Sequence, residues 1–85
     1  MAESYEAIVQ LVETLVISLV DEPEAVEVGA EEVAEDELVI EIRVDASDAG
    51  KVIGRQGRII KAIRTLARAA AYRNNIAVEV ELIDE

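Results

Sequence analysis

Two glycines set among basic residues form the segment of this chain best suited to binding chemistry. The segment reads Ile53-Gly54-Arg55-Gln56-Gly57-Arg58, and glycine lets a backbone adopt conformations closed to other residues and be approached closely by a ligand. A helix predicted to begin at Arg58 offers free N–H groups and the positive end of a dipole, which both favour phosphate. The spacing alone also fits a helix C-cap followed by a tight turn. The segment therefore indicates either a phosphate-binding loop or a purely structural turn.

The residue types needed for most catalytic and metal chemistry are missing. The chain has no His and no Cys, which removes zinc sites, disulfides and the common nucleophile–base pairs. A hydrolase built on two carboxylates remains a hypothesis, but no spacing supports it. The acidic stretch from Glu31 to Glu37 suggests a divalent-cation site, although it lacks the turn-forming glycine of a calcium loop, so a solvated hairpin connection is favoured. We expect no enzymatic activity, cofactor or metal.

Charge is distributed unevenly along the chain, which has a net charge of −11. Residues 1–48 contain 15 acidic residues and one basic residue, whereas residues 49–78 contain seven basic residues and no acidic one. A protein with one local anion-binding surface shows this asymmetry, and an amphipathic helix with a solvated basic face shows it too. The acidity elsewhere predicts modest affinity for a polyanion, because Lys and Arg supply most of that affinity by neutralising phosphates.

The periodicity of apolar residues predicts helix, strand, strand, helix, helix, strand. Ser4 is expected to cap a helix that runs to about Val20 and whose wide apolar face packs on the core or forms a dimer contact. A weak strand covers residues 25–28, and two stronger strands alternate apolar and polar residues. Their predicted core residues are Leu38, Ile40, Ile42, Val44, Ile76, Val78, Val80 and Leu82, and Glu79 and Glu81 make the outer face acidic. We expect an α+β fold with a three-stranded mixed sheet covered on one face by three helices.

Two helices flank the glycines, and the second one carries a basic stripe. Ser47 is expected to cap a short helix over about 48–53, and a longer helix covers about 58–73. At 100° per residue, Arg58, Lys61, Arg64 and Arg68 share one side of this longer helix, beside its apolar stripe. A basic stripe that begins at a glycine loop is typical of a surface that follows a nucleic-acid backbone.

The glycines also stand in a longer pattern, Val52-Ile53-Gly54-x-x-Gly57-x-x-Ile60-x-x-Ile63. This pattern resembles the KH signature V-I-G-x-x-G-x-x-I-x-x-I without a mismatch, and the order of elements resembles the type II (prokaryotic) KH arrangement. The run from Ala49 to Ala71 is similar to the small bacterial KhpA (YlqC-like) family of RNA-binding proteins. Overall length and element order extend the resemblance to nearly the whole chain. It implies a single KH domain over residues 1–85, with an N-terminal helix over about 4–20 and a KH core over about 38–83.

The resemblance implies a groove that clamps about four single-stranded nucleotides, as KH domains do. Gly54, Arg55, Gln56 and Gly57 would form the clamp. Val52, Ile53 and Ile60 would supply the apolar floor, and Lys51, Arg58 and Lys61 would border the phosphates. Arg64 and Arg68 lie one or two turns further along the helix, and Ile60 and Ile63 also fit its buried stripe. With only two aromatic residues, Tyr5 and Tyr72, base stacking on aromatic platforms is not expected.

Two functions follow from the resemblance. The first is single-stranded RNA binding in post-transcriptional regulation. The second is an adaptor role, in which apolar helices pair the chain with a second copy or with a larger KH-containing RNA-binding protein of the KhpB (Jag) type. The apolar window Leu11–Val20 is too short for a membrane span and lacks the basic start of a signal peptide, so we expect a cytoplasmic protein with no membrane contact. We also expect no small-molecule substrate.

Overall fold

A computed structural model describes residues 3–83. Its main elements are helix α1 (Glu3–Ile17), strands β1 (Glu27–Ala34) and β2 (Glu37–Arg43), helices α2 (Ala49–Ile53) and α3 (Arg58–Tyr72), and strand β3 (Ala77–Leu82). Short 3₁₀ turns at Pro23–Ala25, Ala46–Asp48 and Arg55–Gly57 precede β1, α2 and α3. The predicted order of elements is confirmed. No helix among residues 3–83 has both the length and the apolar character required to cross a bilayer.

The three strands form one mixed sheet in the order β1-β2-β3. Strands β1 and β2 are antiparallel, with Val28 opposite Ile42, and β2 and β3 are parallel, with Ile40 opposite Val80. Parallel pairing requires a long crossover between β2 and β3. Helices α2 and α3 supply that crossover, with the glycine loop between them, and α3 packs against β3.

The hydrophobic core lies between the sheet and the helices. Helix α1 contributes Ile8, Val12 and Val16, which stand four residues apart and therefore share one face. Alternate residues of the strands meet them from the sheet. The buried core of the described chain comprises Tyr5, Ile8, Val12, Val16, Leu38, Ile40, Ile42, Val52, Ile60, Ile63, Ala67, Ala71, Ile76, Val78 and Val80. The predicted core positions of β2 and β3 are confirmed, except that Leu82 is only half-buried and Val44 is half-buried beyond the end of β2.

Several predicted boundaries in the acidic half were wrong. Helix α1 ends at Ile17 rather than near Val20, and Ser4 lies inside the helix. The stretch Glu31 to Glu37, predicted as a hairpin connection, belongs mostly to β1, and the chain reverses at Glu35 and Asp36, where Asp36 has φ +59°. Pairing with β2 holds this acidic segment as a strand, although its exposed side chains give no apolar alternation. Asp45, not Ser47, caps the turn before α2, because its carboxylate accepts the Ser47 N–H at 3.0 Å.

Candidate nucleic-acid interface

The glycine loop is a tight turn between α2 and α3 with three residues at positive φ. Gly54 has φ +76° and ψ 172°, Gln56 has φ +58°, and Gly57 has φ +73°. The Gly54 N–H closes α2 by donating to the Gly50 carbonyl at 2.9 Å, and the Gly57 N–H donates to the Gly54 carbonyl at 3.1 Å. The first N–H groups of α3 follow at once. The loop therefore presents Arg55 and Gln56 at its tip, beside the N-terminus of a helix of 15 residues.

Gly54 is required for a second reason besides its backbone angles. A Cβ atom at this position would lie 2.6 Å from Cγ1 and 2.8 Å from Cβ of Ile59, distances that real side chains do not reach. At Gly57 the nearest atom would be Lys61 Cε at 3.9 Å, an ordinary contact. The Ile59 side chain therefore packs directly on the backbone of the loop and keeps it close to α3.

Three basic side chains surround the loop without being neutralised by acidic partners. Within residues 3–83, Arg55 and Lys61 make no ion pair, and Arg58 donates from Nη2 to Gln56 Oε1 at 3.2 Å. All three are exposed. Because their charge is uncompensated, this end of α3 attracts anions in spite of the net charge of the chain.

An apolar groove of about 210 Å³ runs between the two helices and the C-terminal end of β3. We call it the α2–α3 groove; its lining consists of Ala49, Ile53, Ile60, Arg64, Leu82 and Ile83. Ile53 and Ile60 were predicted as floor residues, and both line it. Val52 has no exposed surface, so it supports the floor from within the core.

Arg64 and Arg68 bind the free edge of the sheet. The Ala77 N–H donates to the carbonyl of Asp36, just before β2, and the Ile83 N–H donates to the carbonyl of Ile42 in β2. The even-numbered residues between them therefore direct their backbone groups away from β2. Arg64 Nε donates to the Val80 carbonyl at 3.0 Å, and Arg68 Nε to the Val78 carbonyl at 3.4 Å. Arg68 also pairs with Glu79 at 3.1 Å. These two arginines are thus anchored, whereas Arg55 and Lys61 are not.

Lys51 is the predicted site residue most strongly engaged with acidic side chains. Its ammonium lies 3.1 Å from Asp48 Oδ1 and 3.2 Å from Asp21 Oδ2. Asp48 is fully buried and also accepts the backbone N–H groups of Asp21 and Glu22, at 3.1 and 3.0 Å. This network joins the segment after α1 to the start of α2.

The same network shifts the pKa of its members. Burial alone would raise the pKa of Asp48, but the N–H groups of Asp21 and Glu22 and the Lys51 ammonium outweigh burial and hold the pKa below its ordinary value of 3.8. Hydrogen bonds to Asp48 and Asp21 raise the pKa of Lys51. Asp48 is therefore ionised at neutral pH, and Lys51 directs its charge toward the protein.

Sequence reasoning missed part of this site. Ala49, Leu82 and Ile83 line the α2–α3 groove but were not predicted to do so, and the strand alternation that placed Leu82 near the core was the available signal. Nothing in the local sequence indicated that Asp48 would bind two N–H groups more than 25 residues away. Among the described residues, no cluster of acidic side chains is arranged to hold a metal ion.

Two further surfaces flank the site. The outer face of the sheet points away from the helices and carries exposed or half-exposed glutamates. We call it the acidic sheet face (Glu27, Glu31, Glu41, Glu79 and Glu81). A second groove of about 300 Å³ separates α1 from α3 and is lined mainly by apolar side chains. This α1–α3 groove comprises Leu15, Ser18, Leu19, Arg58, Ile59, Ala62, Ile63 and Leu66, and Leu66 is 48% exposed.

Known proteins are similar to this chain in sequence. The family model described as "KhpA/KhpB, KH domain" matches residues 9–82. The chain is 51% identical over 74 residues to RNA-binding protein KhpA of Clostridium perfringens, covering 87% of this chain and 97% of that protein. It is 45% identical over 76 residues to RNA-binding protein KhpA of Borreliella burgdorferi, covering 89% of this chain and 92% of that protein.

A solved structure shares the architecture. The crystal structure of Aquifex aeolicus Era bound to GDP·AlF4⁻ superposes with a TM-score of 0.61 at 25% sequence identity, covering 89% of this chain. The chain spans only 29% of that Era chain. The α+β arrangement of a type II KH fold is therefore confirmed for the chain.

Proposed function

Because the chain belongs to the KhpA/KhpB KH-domain family, we propose that it binds single-stranded RNA and clamps the RNA backbone with Gly54-Arg55-Gln56-Gly57. The observation that carries this proposal is the juxtaposition of a glycine loop at positive φ, three basic side chains without acidic partners, and an apolar groove directly beside them. In this proposal, residues 3–83 form one RNA-binding unit that acts in post-transcriptional regulation and has no catalytic activity.

Different parts of the site bind the phosphates and the bases of the RNA. Phosphate is attracted to the loop and the N-terminus of α3, where Arg55, Arg58 and Lys61 add charge. Bases lie against the apolar α2–α3 groove, since unstacked bases of a single strand can be splayed onto such a floor. Tyr72 is 80% exposed at the far end of α3, about 20 Å along the helix from the loop at 1.5 Å per residue. Stacking on aromatic rings therefore plays no part.

A double substitution tests the clamp. Arg55→Asp with Gln56→Asp puts two negative charges at the loop tip, and Asp tolerates the positive φ of position 56 better than most residues. We expect loss of RNA binding in fluorescence anisotropy with an unchanged circular dichroism spectrum. The matched control is Arg73→Asp with Asn74→Asp, which changes charge equally at the exposed far end of α3. Equal loss in both variants would attribute the effect to net charge and contradict the clamp.

Salt dependence gives an independent measure. A clamp that uses three to five phosphate contacts predicts a slope of about −2 to −3.5 in a plot of log affinity against log salt concentration for a single strand. Absence of any single-stranded RNA binding at low salt would overturn the proposed function.

A second candidate function is pairing with another copy or with a larger KH-containing RNA-binding protein, in line with the name of the family. The α1–α3 groove supports it, because an apolar groove with a half-exposed leucine is a surface that association would shield from water. Light scattering of the purified chain tests self-pairing. We expect Leu66→Glu to shift a dimer to monomer while Thr65→Glu, on the neighbouring exposed position, does not. A strictly monomeric wild-type chain would exclude self-pairing.

A further inference from the structure

One side chain gives the α2–α3 groove its polarity. Of the six residues that line the groove, five are apolar and only Arg64 is charged. A groove of about 210 Å³ is smaller than the pockets that hold drug-sized ligands. It has room for a planar ring with one polar edge, and Arg64 is the side chain that this edge would meet.

The guanidinium of Arg64 is held in a fixed orientation. Its Nε–H donates to the Val80 carbonyl at 3.0 Å, and the side chain is half-buried against β3. Within residues 3–83, its two terminal nitrogens have no partner. An arginine has five N–H donors in a planar fork and no acceptor, so the outer edge of this fork remains available to donate two parallel hydrogen bonds. Arg68 differs, because Glu79 already occupies one of its terminal nitrogens.

A fork that only donates distinguishes bases by their acceptors. Guanine presents O6 and N7 side by side, which is the commonest partner of a bidentate arginine, and cytosine presents O2 and N3 on its Watson–Crick edge. Adenine places an amino donor beside N7, and uracil places an N–H between its two carbonyls. Either of these bases would leave one arginine donor facing another donor.

We propose that Arg64 makes the α2–α3 groove selective for a base with two adjacent acceptors, guanine or cytosine, over adenine and uracil. This inference rests on the proposed RNA binding and adds a preference for particular bases to it. Backbone affinity comes from the loop, and discrimination comes from the groove.

Fluorescence anisotropy with labelled RNA of eight nucleotides tests the inference. The RNAs are oligouridine and the same strand with central guanosine, cytidine or adenosine, together with 7-deazaguanosine and 3-deazacytidine, which each lack one acceptor. We expect the better of the guanosine and cytidine RNAs to bind at least about five-fold tighter than the adenosine and uridine RNAs, the lower end for a good bidentate contact. The corresponding deaza base should abolish that advantage, and it identifies the base without any change to the protein.

The protein variant is Arg64→Lys, which keeps the charge but lacks the planar fork. We expect this variant to bind all of these RNAs with similar affinity, and Arg73→Lys, at the exposed far end of α3, to keep the wild-type preference. Binding without base preference, a preference unaffected by the deaza bases, or a preference that survives in Arg64→Lys would overturn this inference alone. Failure of the wild-type chain to bind any of these RNAs would overturn the proposed function itself.

Discussion

Replacing three neighbouring glycines by alanine, one at a time, is expected to give three different changes in stability. Gly50 lies inside α2, where a Cβ would meet nothing within 4 Å. Gly57 has φ +73° but open surroundings, and Gly54 combines φ +76° with a 2.6 Å approach to Ile59. The series therefore separates helix propensity, backbone strain and steric overlap within eight residues of chain.

Each of the three effects has a characteristic size. Gly50→Ala should raise the free energy of unfolding by up to about 1 kcal/mol, the difference in helix propensity. Gly57→Ala should lower it by about 1–2 kcal/mol, the strain of a left-handed residue that carries a Cβ. Gly54→Ala combines two costs. The backbone strain costs about 1–3 kcal/mol, and the overlap with Ile59, which forces that side chain to move, costs about another 1–3 kcal/mol. We expect a total loss of about 2–6 kcal/mol.

Thermal unfolding followed by circular dichroism measures the series. At about 4–8 °C per kcal/mol for a domain of this size, Gly54→Ala should lower Tm by at least about 8 °C, and Gly50→Ala should leave Tm equal or higher. The packing of Ile59 on the loop would be refuted if Gly54→Ala and Gly57→Ala lowered Tm equally. A lower Tm for Gly50→Ala would contradict its place inside α2.

Three further predictions concern the network, the core and the sheet edge. The pKa of Asp48 is lower in the folded than in the unfolded chain, so the stabilisation it gives is present above about pH 4 and is lost as pH falls through the folded pKa. Tm of Asp48→Asn should therefore be below that of wild type at pH 7, and the difference in Tm should shrink as pH falls below about 4. A difference that widens on acidification would contradict this. Ile40→Ala, fully buried, should lower the free energy of unfolding by about 2–5 kcal/mol in urea titrations, whereas Ile17→Ala, 42% exposed, should cost less than about 0.5–1 kcal/mol. Glu79→Gln releases Arg68 from its ion pair and should steepen the salt slope of RNA binding by about 0.7; an unchanged slope would show that Arg68 does not reach phosphate.

The glycine loop and the elements around it were predictable because their signals are local. Helix α3 begins at the predicted Arg58 and ends one residue early, at Tyr72, since its apolar stripe repeats at helical spacing. Strands β2 and β3 alternate cleanly, which fixed the face that each one buries. The aliphatic positions in register with Gly54 and Gly57 resembled the KH signature and indicated the family.

What escaped prediction depends on partners distant in sequence. Alternation predicted only a weak strand over residues 25–28, whereas β1 extends from Glu27 to Ala34. Beyond Val28 the chain carries Gly29 and several exposed glutamates, and this part is a strand because β2 pairs with it. Asp48 looks like any polar residue before a helix until the chain folds the segment after α1 onto it. The anchoring of Arg64 and Arg68 likewise depends on which edge of the sheet is free, a property of the topology.

The acidic sheet face has a consequence for how the protein would meet a nucleic acid by diffusion. The acidic sheet face and the basic residues around the start of α3 separate negative from positive charge across the molecule. In the field of a polyanion, this separation favours orientations in which the glycine loop leads and the sheet trails, before any contact forms. Encounters in which the acidic sheet face approaches first are repelled, so a larger share of collisions begin with the glycine loop facing the nucleic acid. Added salt shortens the Debye length and should therefore weaken this orienting effect.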